Sequence, residues 1–362
     1  MKVALITGCS GLIGSQSVEF FIQKGYLVVG IDNHMRGYFF GPQSSTEHVT
    51  KKLSDLYEGS FMFYNTDIRD FDSLLKIFEK FSQDIEIVIH TAAQPSHDWA
   101  SKEPITDFTV NANGTINLLE LTRKYCKNAS FIFTSTNKVY GDRPNKLNLI
   151  EGDLRFYVKG NDSFAIDETM SIDNSLHSVF GASKLAADIM VQEYGKYFNM
   201  NTVCFRGGCL TGPQHSGAEL HGFLSYLIKC IVTRKKYTIY GYNGKQVRDN
   251  IHSWDLVNMF WYYHQHPTKG EIYNAGGGIH NSISILEAIK KINQICKENI
   301  MNWEEWVDYE VINDNRKGDH MYYVTNFDKF KNHYPDWPGI TINLKSLINQ
   351  MVKDEIDNTP KI

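Results

Sequence analysis

The segment Gly8-Cys9-Ser10-Gly11-Leu12-Ile13-Gly14 constrains the fold of this chain more than any other stretch. Before it stands Val3-Ala4-Leu5-Ile6, the apolar run of a strand buried on both faces. After it comes a helical pattern, Leu12 to Lys24, with Phe20, Phe21 and Ile22 on its apolar side and Gly25 to close it. Three glycines in such a turn permit a tight reversal, close backbone approach to a ligand, and close packing of helix on strand. The helix start then offers free N–H groups and the positive end of its dipole to a pyrophosphate. Gly8, Ser10, Gly11, Leu12, Ile13 and Gly14 are therefore the expected dinucleotide contacts of this loop. The next strand, Leu27 to Ile31, ends at Asp32. A carboxylate there accepts hydrogen bonds from the adenosine ribose and repels a 2′-phosphate, which favours NAD over NADP. Arg36 is the one nearby residue that argues the other way, and Asn33 and Arg36 complete this part of the expected site.

The strand-then-helix rhythm continues. Buried strands are expected at Phe61 to Tyr64, Ile85 to His90 and Phe131 to Phe133, with helices at Asp107 to Tyr125 and Ala182 to Phe198. Such alternation implies an α/β fold, a Rossmann-type doubly wound parallel sheet with ligands beyond the carboxyl ends of its strands. Asp67-Ile68, Ala92-Ala93-Gln94 and Thr134-Ser135-Thr136 all follow strand ends and should converge there. After Arg206 the rhythm breaks into Gly-rich turns, aromatics and short strands such as Tyr237 to Tyr240. We expect an NAD-binding domain over 1–206, with 250–274 returning to it. A smaller C-terminal substrate lobe is expected over 207–249 and 275–350.

Composition removes several classes. Hydrophobic residues at 42% and charged residues at 22% fit a globular chain and exclude disordered and fibrous ones. A net charge of −4 gives no reason to expect a nucleic-acid partner, and Arg234-Lys235-Lys236 is too short a basic run to change that. The six cysteines form no Cys-x-x-Cys pair and cluster with no histidines, so no disulfide framework is expected. No metal site is expected either around His215, Glu219 and His221, since Glu219 and His221 sit two apart without helix-face spacing. No window approaches a membrane span, and the apolar start runs into the glycine loop rather than a cleavage site. A soluble cytoplasmic protein is the expectation.

The glycine loop, Asp67-Ile68, Ala92-Ala93-Gln94, Asn111 followed by Gly114-Thr115, and Ser135-Thr136 with Val139-Tyr140-Gly141 together resemble the extended short-chain dehydrogenases/reductases that act on nucleotide sugars, the NAD-dependent epimerase/dehydratase family. The likeness spans nearly the whole chain. Within the family it is strongest to the 2-epimerases of the CDP-tyvelose (CDP-paratose) type. The words behind this are Ser135 to Asp142, the insert ending Ile166-Asp167-Glu168, His177-Ser178, Gly244 to Asp249, and Arg316 before Gly318-Asp319. The resemblance implies transient oxidation of a sugar carbon by NAD, with C2 oxidised and inverted. It also implies cofactor contacts at Asp67, Ile68, Ala92, Ala93, Gln94, Asn111 and Lys184. Substrate contacts are implied at Gln94, Ser96, Lys138, Cys209, Arg248 and Arg316, the two arginines on the diphosphate. A CDP-, GDP- or UDP-linked hexose fits equally. Pairing through the helices at Asp107 to Tyr125 and Ala182 to Phe198 would make a homodimer or homotetramer.

One position breaks the pattern. The family works with Ser/Thr, Tyr and Lys, the last two spaced Tyr-x-x-x-Lys on one helical face. Here Thr136 and Lys184 stand at the first and third positions and Phe180 at the second. A phenyl ring neither takes nor gives a proton. Three readings stay open: a substitution made to trap a complex, a base moved elsewhere, or binding without turnover. Thr136 assisted by Lys184, Cys209 and Lys138 are the candidates for a moved base; His97 reads as a hydrogen-bonding or surface residue. The word Thr136-Asn137-Lys138 has no acid after the threonine, which ranks epimerisation above 4,6-dehydration. A UDP-glucose/galactose-type 4-epimerase, then a nucleotide-sugar dehydrogenase or ketoreductase, are the alternatives. A catalytically impaired NAD and nucleotide-sugar binder comes last.

Overall fold

The computed structural model describes residues 2–213, 222–315 and 318–359, and these fall into two compact units. The first comprises Met1–Val139, His177–Gly207 and Leu256–Tyr273. Its centre is a seven-stranded sheet of β1 (Val3–Thr7), β2 (Leu27–Asp32), β3 (Phe61–Asn65), β4 (Ile85–His90), β5 (Ser130–Thr136), β6 (Asn201–Gly207) and β7 (Glu271–Ala275). The order is β7-β6-β5-β4-β1-β2-β3, and β1 to β6 pair in parallel. All five residues of β1 are buried, which is why the strand reads as an unbroken apolar run. Helices α1 (Leu12–Gln23), α2 (Phe71–Phe81), α3 (Gly114–Tyr125) and α4 (Ser178–Phe198) flank the sheet. Leu74, Phe78, Leu118, Leu121, Ala187 and Val191 from three of them meet Leu5, Val29, Val88, Phe131 and Phe133 of the strands in one core.

The strand order reverses at β1, which has β2 on one side and β4 on the other. A crevice opens at such a switch point, beyond the carboxyl ends of the strands. The loop after β1 and the segment after β4 both end there: a side chain at Gly8 would lie 2.7 Å from the Ala92 nitrogen.

The second unit comprises Tyr140–Leu176, Gly208–Asp255 and Asn274–Ile362. Helices Phe223–Val232, Ile285–Asn299 and Leu344–Asn358 pack around Leu227, Ile231, Ile292, Ile295, Leu347 and Val352. Strand Val247–His252 pairs with Cys209–Thr211, Ser282–Ser284 and Tyr322–Tyr323. Two boundaries differ from those expected. Residues 140–176 lie in this unit: the Phe156 N–H donates to the Lys245 carbonyl (3.1 Å), Ile166 bridges Thr325, and Val158 packs with Val247 and Val324. Residues 250–255 also stay here, because the pairing of strand Val247–His252 is to strands of this unit. Among the described residues no helix is long and apolar enough to cross a membrane.

Candidate active site

The glycine loop is built for a dinucleotide. Gly8 turns with φ 69°, in the left-handed region that favours glycine. Gly14 sits against the loop so closely that a Cβ would lie 2.0 Å from the Gly8 carbonyl oxygen. Gly11 differs, since a Cβ there would meet only that oxygen, at 3.3 Å, leaving its face open to a ligand. It is also the N-cap of α1, with no side-chain cap and no acidic residue in the first turn, so the helix start is left to an anion. Asp32 braces the loop: Oδ2 accepts from the Ser10 N–H (3.0 Å) and Oδ1 from the His34 N–H (2.8 Å). Each oxygen keeps a lone pair for ribose hydroxyls. These features fit NAD.

Just after β3, Asp67 is clasped by a residue that motif reading missed. Arg69 donates from Nε to Oδ1 (3.0 Å) and from its terminal nitrogen to Oδ2 (2.7 Å), and Asn33 adds a bond to Oδ2 (2.8 Å). Burial alone would raise the Asp67 carboxyl, but Arg69 and Asn33 hold it below the usual carboxylate range. Ile68 is buried against Gly114. Arg36 opens a short helix, Arg36–Phe40, with its guanidinium 4.9 Å from the Phe40 ring centre.

After β4 the structure ties Gln94 and Ser96 into the loop itself. The Gln94 amide donates to the Ser96 carbonyl (2.8 Å) and Asp107 Oδ1 (2.9 Å), its Oε1 accepts from the Ser96 N–H, and both residues are buried. A loop folded back on itself must satisfy its buried amide internally, and here both Nε2 hydrogens of Gln94 and one acceptor site of Oε1 are taken up. Asn111, in a π-helical turn at Thr109–Asn113, accepts from the Gln94 N–H (2.9 Å) and donates to Asp107 Oδ1 (3.1 Å) and Ser183 Oγ (3.0 Å). A second buried chain fixes Asn111 from below. Thr115 donates to the Asn111 carbonyl (2.6 Å), and His90 lies between Thr115 Oγ1 (2.9 Å) and Thr7 Oγ1 (2.8 Å). Burial, then Lys184, pushes the His90 imidazole well below its usual range, so it stays neutral.

Thr136 ends β5, half-buried; its Oγ1 accepts from the Lys138 N–H (3.2 Å) and donates a long bond to Asn137 Oδ1 (3.5 Å). Lys138 is half-buried in the tight turn Asn137–Tyr140. That turn packs on α4 at Gly181, where a Cβ would lie 2.9 Å from the Lys138 carbonyl. Phe180 and Lys184 share one face of α4, and both are buried. Lys184 Nζ donates to the Thr134 carbonyl (2.7 Å) and lies 4.0 Å from the Phe133 ring centre. Burial drives its ammonium down to about 7, against the pull of Asp188, Cys204 and Asp107. One turn on, Asp188 accepts from Ser135 (2.6 Å) and is paired with Arg206 (2.8 Å), a buried pair that pins α4 to β5 and β6. Phe180 packs on His97, ring centres 4.8 Å apart, and His97 Nδ1 lies 3.1 Å from Ser178 Oγ. Ser178 itself has φ 62°, which costs a non-glycine residue about 1–2 kcal/mol.

Cys209 and Arg248 belong to the second unit. Cys209 is half-buried on its strand, and Arg248 is ion-paired with Asp319 (2.6 Å) while donating to the Val247 carbonyl (2.8 Å). Beside it Asp249, fully buried, is pushed up to about 6 by burial. Arg316 and the His215, Glu219 and His221 segment lie outside the described residues.

A doubly wound sheet, an open helix start behind a glycine loop, and an acid closing β2 define a dinucleotide-binding core. Residues 4–276 match the model of the NAD dependent epimerase/dehydratase family. The chain is 34% identical to CDP-paratose 2-epimerase of Salmonella typhi over 300 residues, 81% of this chain and 84% of that protein. It is 30% identical to a putative UDP-glucose 4-epimerase of Methanocaldococcus jannaschii over 79% of this chain and 81% of the other. The fold matches the crystal structure of UDP-glucose 4-epimerase from Bifidobacterium longum in complex with NAD+ and UDP, with TM-score 0.79, 20% identity and 99% of each chain covered. The chain belongs to the NAD dependent epimerase/dehydratase family; it is an enzyme, and NAD is its cofactor.

Proposed function

We propose that this enzyme epimerises a nucleotide-linked hexose at C2, in the manner of the CDP-paratose/CDP-tyvelose reaction. The observation that carries the reading is the turn after β5. The two residues following Thr136 are an amide and an ammonium, Asn137 and Lys138. Loss of water across C5 and C6 needs an acid at such a place to donate and accept protons, whereas epimerisation does not. The 34% identity to CDP-paratose 2-epimerase supports C2 as the carbon and CDP as the nucleotide.

NAD, when bound, supplies reversible hydride acceptance. The remaining work falls to the chain. Thr136 offers its hydroxyl proton to the sugar oxygen whose carbon is oxidised, and so orients that carbon. Lys184, on the helical face it shares with Phe180, is buried, so its ammonium acts there with little screening when it is protonated. Asp188 and Arg206 hold α4 in register with β5, so Thr136 and Lys184 keep their spacing. Arg248 would meet the substrate diphosphate with the donors that Asp319 leaves available. Incubating the enzyme with CDP-, GDP- and UDP-hexoses and following products by NMR is expected to show inversion at C2, fastest with a CDP sugar. Inversion at C4 alone would replace this reading with the 4-epimerase one.

The same reading includes self-association. Ile105, Phe108, Ile116, Val179, Ile189 and Tyr197, on or beside α3 and α4, are exposed apolar side chains, an arrangement that suits a subunit interface. Sedimentation is expected to show a dimer or tetramer, reduced to monomer by Ile116→Glu together with Ile189→Glu.

A further inference from the structure

Redox epimerisation needs a group that takes a hydroxyl proton and returns it, and Phe180 has none. The ring that lies against Phe180 belongs to a residue with that capacity. His97, half-buried, packs on Phe180 with ring centres 4.8 Å apart and planes 57° to each other. Its Nδ1 is 3.1 Å from Ser178 Oγ. Ser178 Oγ also accepts from the Gly181 N–H (3.2 Å), and the left-handed backbone of Ser178 sets the hydroxyl between imidazole and helix. Strain retained beside a reacting position is a mark of use. The pair Thr136 and Lys184 is less suited. Lys184 Nζ is engaged on the Thr134 carbonyl, and Thr136 carries an alcohol, which is no base by itself.

We propose that His97 is the proton carrier of this enzyme, standing in for the absent phenol at position 180. Nδ1–H donates to Ser178 Oγ and leaves the lone pair on Nε2. The sugar O–H bond breaks as Nε2 takes its proton. The O–H electron pair becomes the second bond of the carbonyl, and the C–H electron pair leaves as hydride to NAD. In the second half, hydride returns to carbon and Nε2–H gives its proton back to oxygen. An imidazole exchanges a proton near neutral pH, as this cycle requires. The proposal rests on the redox-epimerase reading above but not on its choice of C2 or CDP.

The test uses the NAD-loaded enzyme and the nucleotide sugar that the wild type converts fastest. In His97→Ala and His97→Gln, kcat is expected to fall about 10²- to 10⁴-fold. Affinities for NAD and for the nucleotide sugar, measured by calorimetry, should stay within about threefold, since only the proton step is lost. Adding Phe180→Tyr to His97→Ala should recover at least about tenfold, because it restores a phenol beside Lys184. In ¹⁵N spectra of histidine-labelled enzyme, the His97 signal should report the Nδ1-protonated tautomer, and Ser178→Ala should erase that preference. The proposal is overturned by His97 variants that keep kcat within about threefold, by a double variant no faster than His97→Ala, or by a wild-type His97 protonated on Nε2 alone. If the fastest substrate is inverted at C4 and these effects hold, the C2 reading fails and His97 stands.

Discussion

Gly14→Ala is expected to lose both stability and NAD, while Gly11→Ala loses NAD alone. The methyl at position 14 would stand 2.0 Å from the Gly8 oxygen, 2.7 Å from the Gly8 carbonyl carbon and 2.8 Å from Cys9 Cα. All three are backbone atoms, so no side-chain rotation relieves the clash. Neither partner is free to retreat, since Val3, Ala4, Leu5 and Ile6 are fully buried in β1, and Val18 and Phe21 bury α1 against the core. The helix must shift, and a typical overpacking penalty of about 1–3 kcal/mol is a lower bound for a contact this short. A displaced α1 no longer aims its N–H groups at the pyrophosphate, and NAD affinity should fall by roughly two orders of magnitude or more, the loss of two or three charge-assisted hydrogen bonds. A methyl on Gly11 meets one oxygen at 3.3 Å and otherwise extends into open space. Urea unfolding of the Gly11→Ala apo-protein should match wild type within about 1 kcal/mol, whereas its fluorescence titration with NAD should show weakened binding. Equal unfolding midpoints for Gly14→Ala and wild type would contradict the packing argument.

The loop was legible in the sequence because its physics is local. Turn, cap and helix start lie within seven consecutive residues, and the buried run of β1 adjoins them. Asp32 was legible for the same reason. What escaped was set by contacts distant along the chain. His97 meets Phe180 only when the segment after β4 packs on α4, and no spacing rule connects those residues. Gln94 carried a family word, yet its orientation depends on Asp107 and Asn111 across the next helix. Residues 140–176 read as an insert in the first domain; their partners at Lys245, Val247 and Thr325 are about a hundred residues away or more. The Asp67 and Arg69 clasp is the exception. An acid and a guanidinium two residues apart after a strand were visible, and the pair could have been anticipated from charge alone.

Lys184→Met is expected to abolish turnover and, at the same time, to remove a pH dependence from folding. On the catalytic side, the ammonium shares a helical face with Phe180 and lies on the Thr134 carbonyl two residues before Thr136. Removing a charge from so dry a position should lower kcat by about 10³-fold or more, a transition-state loss of roughly 4 kcal/mol. On the folding side, burial holds the Lys184 ammonium at about 7 in the native protein against 10.5 for the ordinary group. Between those values the unfolded chain binds a proton that the native state has released. Stability therefore rises with pH across that window, with a slope of at most about 1.4 kcal/mol per pH unit from this group. Below about pH 7 both states are protonated, and the native state bears the full penalty of a buried ammonium. Methionine fills similar volume without the charge. Its loss of the bond to Thr134 is a constant offset, so the two proteins should differ in slope. Urea midpoints of the apo-proteins at about pH 7 and about pH 9.5 should diverge for wild type and stay together for the variant, after the common drift from other groups is subtracted. Parallel pH profiles would mean that Lys184 keeps its proton in the folded enzyme, held charged by Asp188 and Asp107. Its part at the site would then be that of a permanent cation.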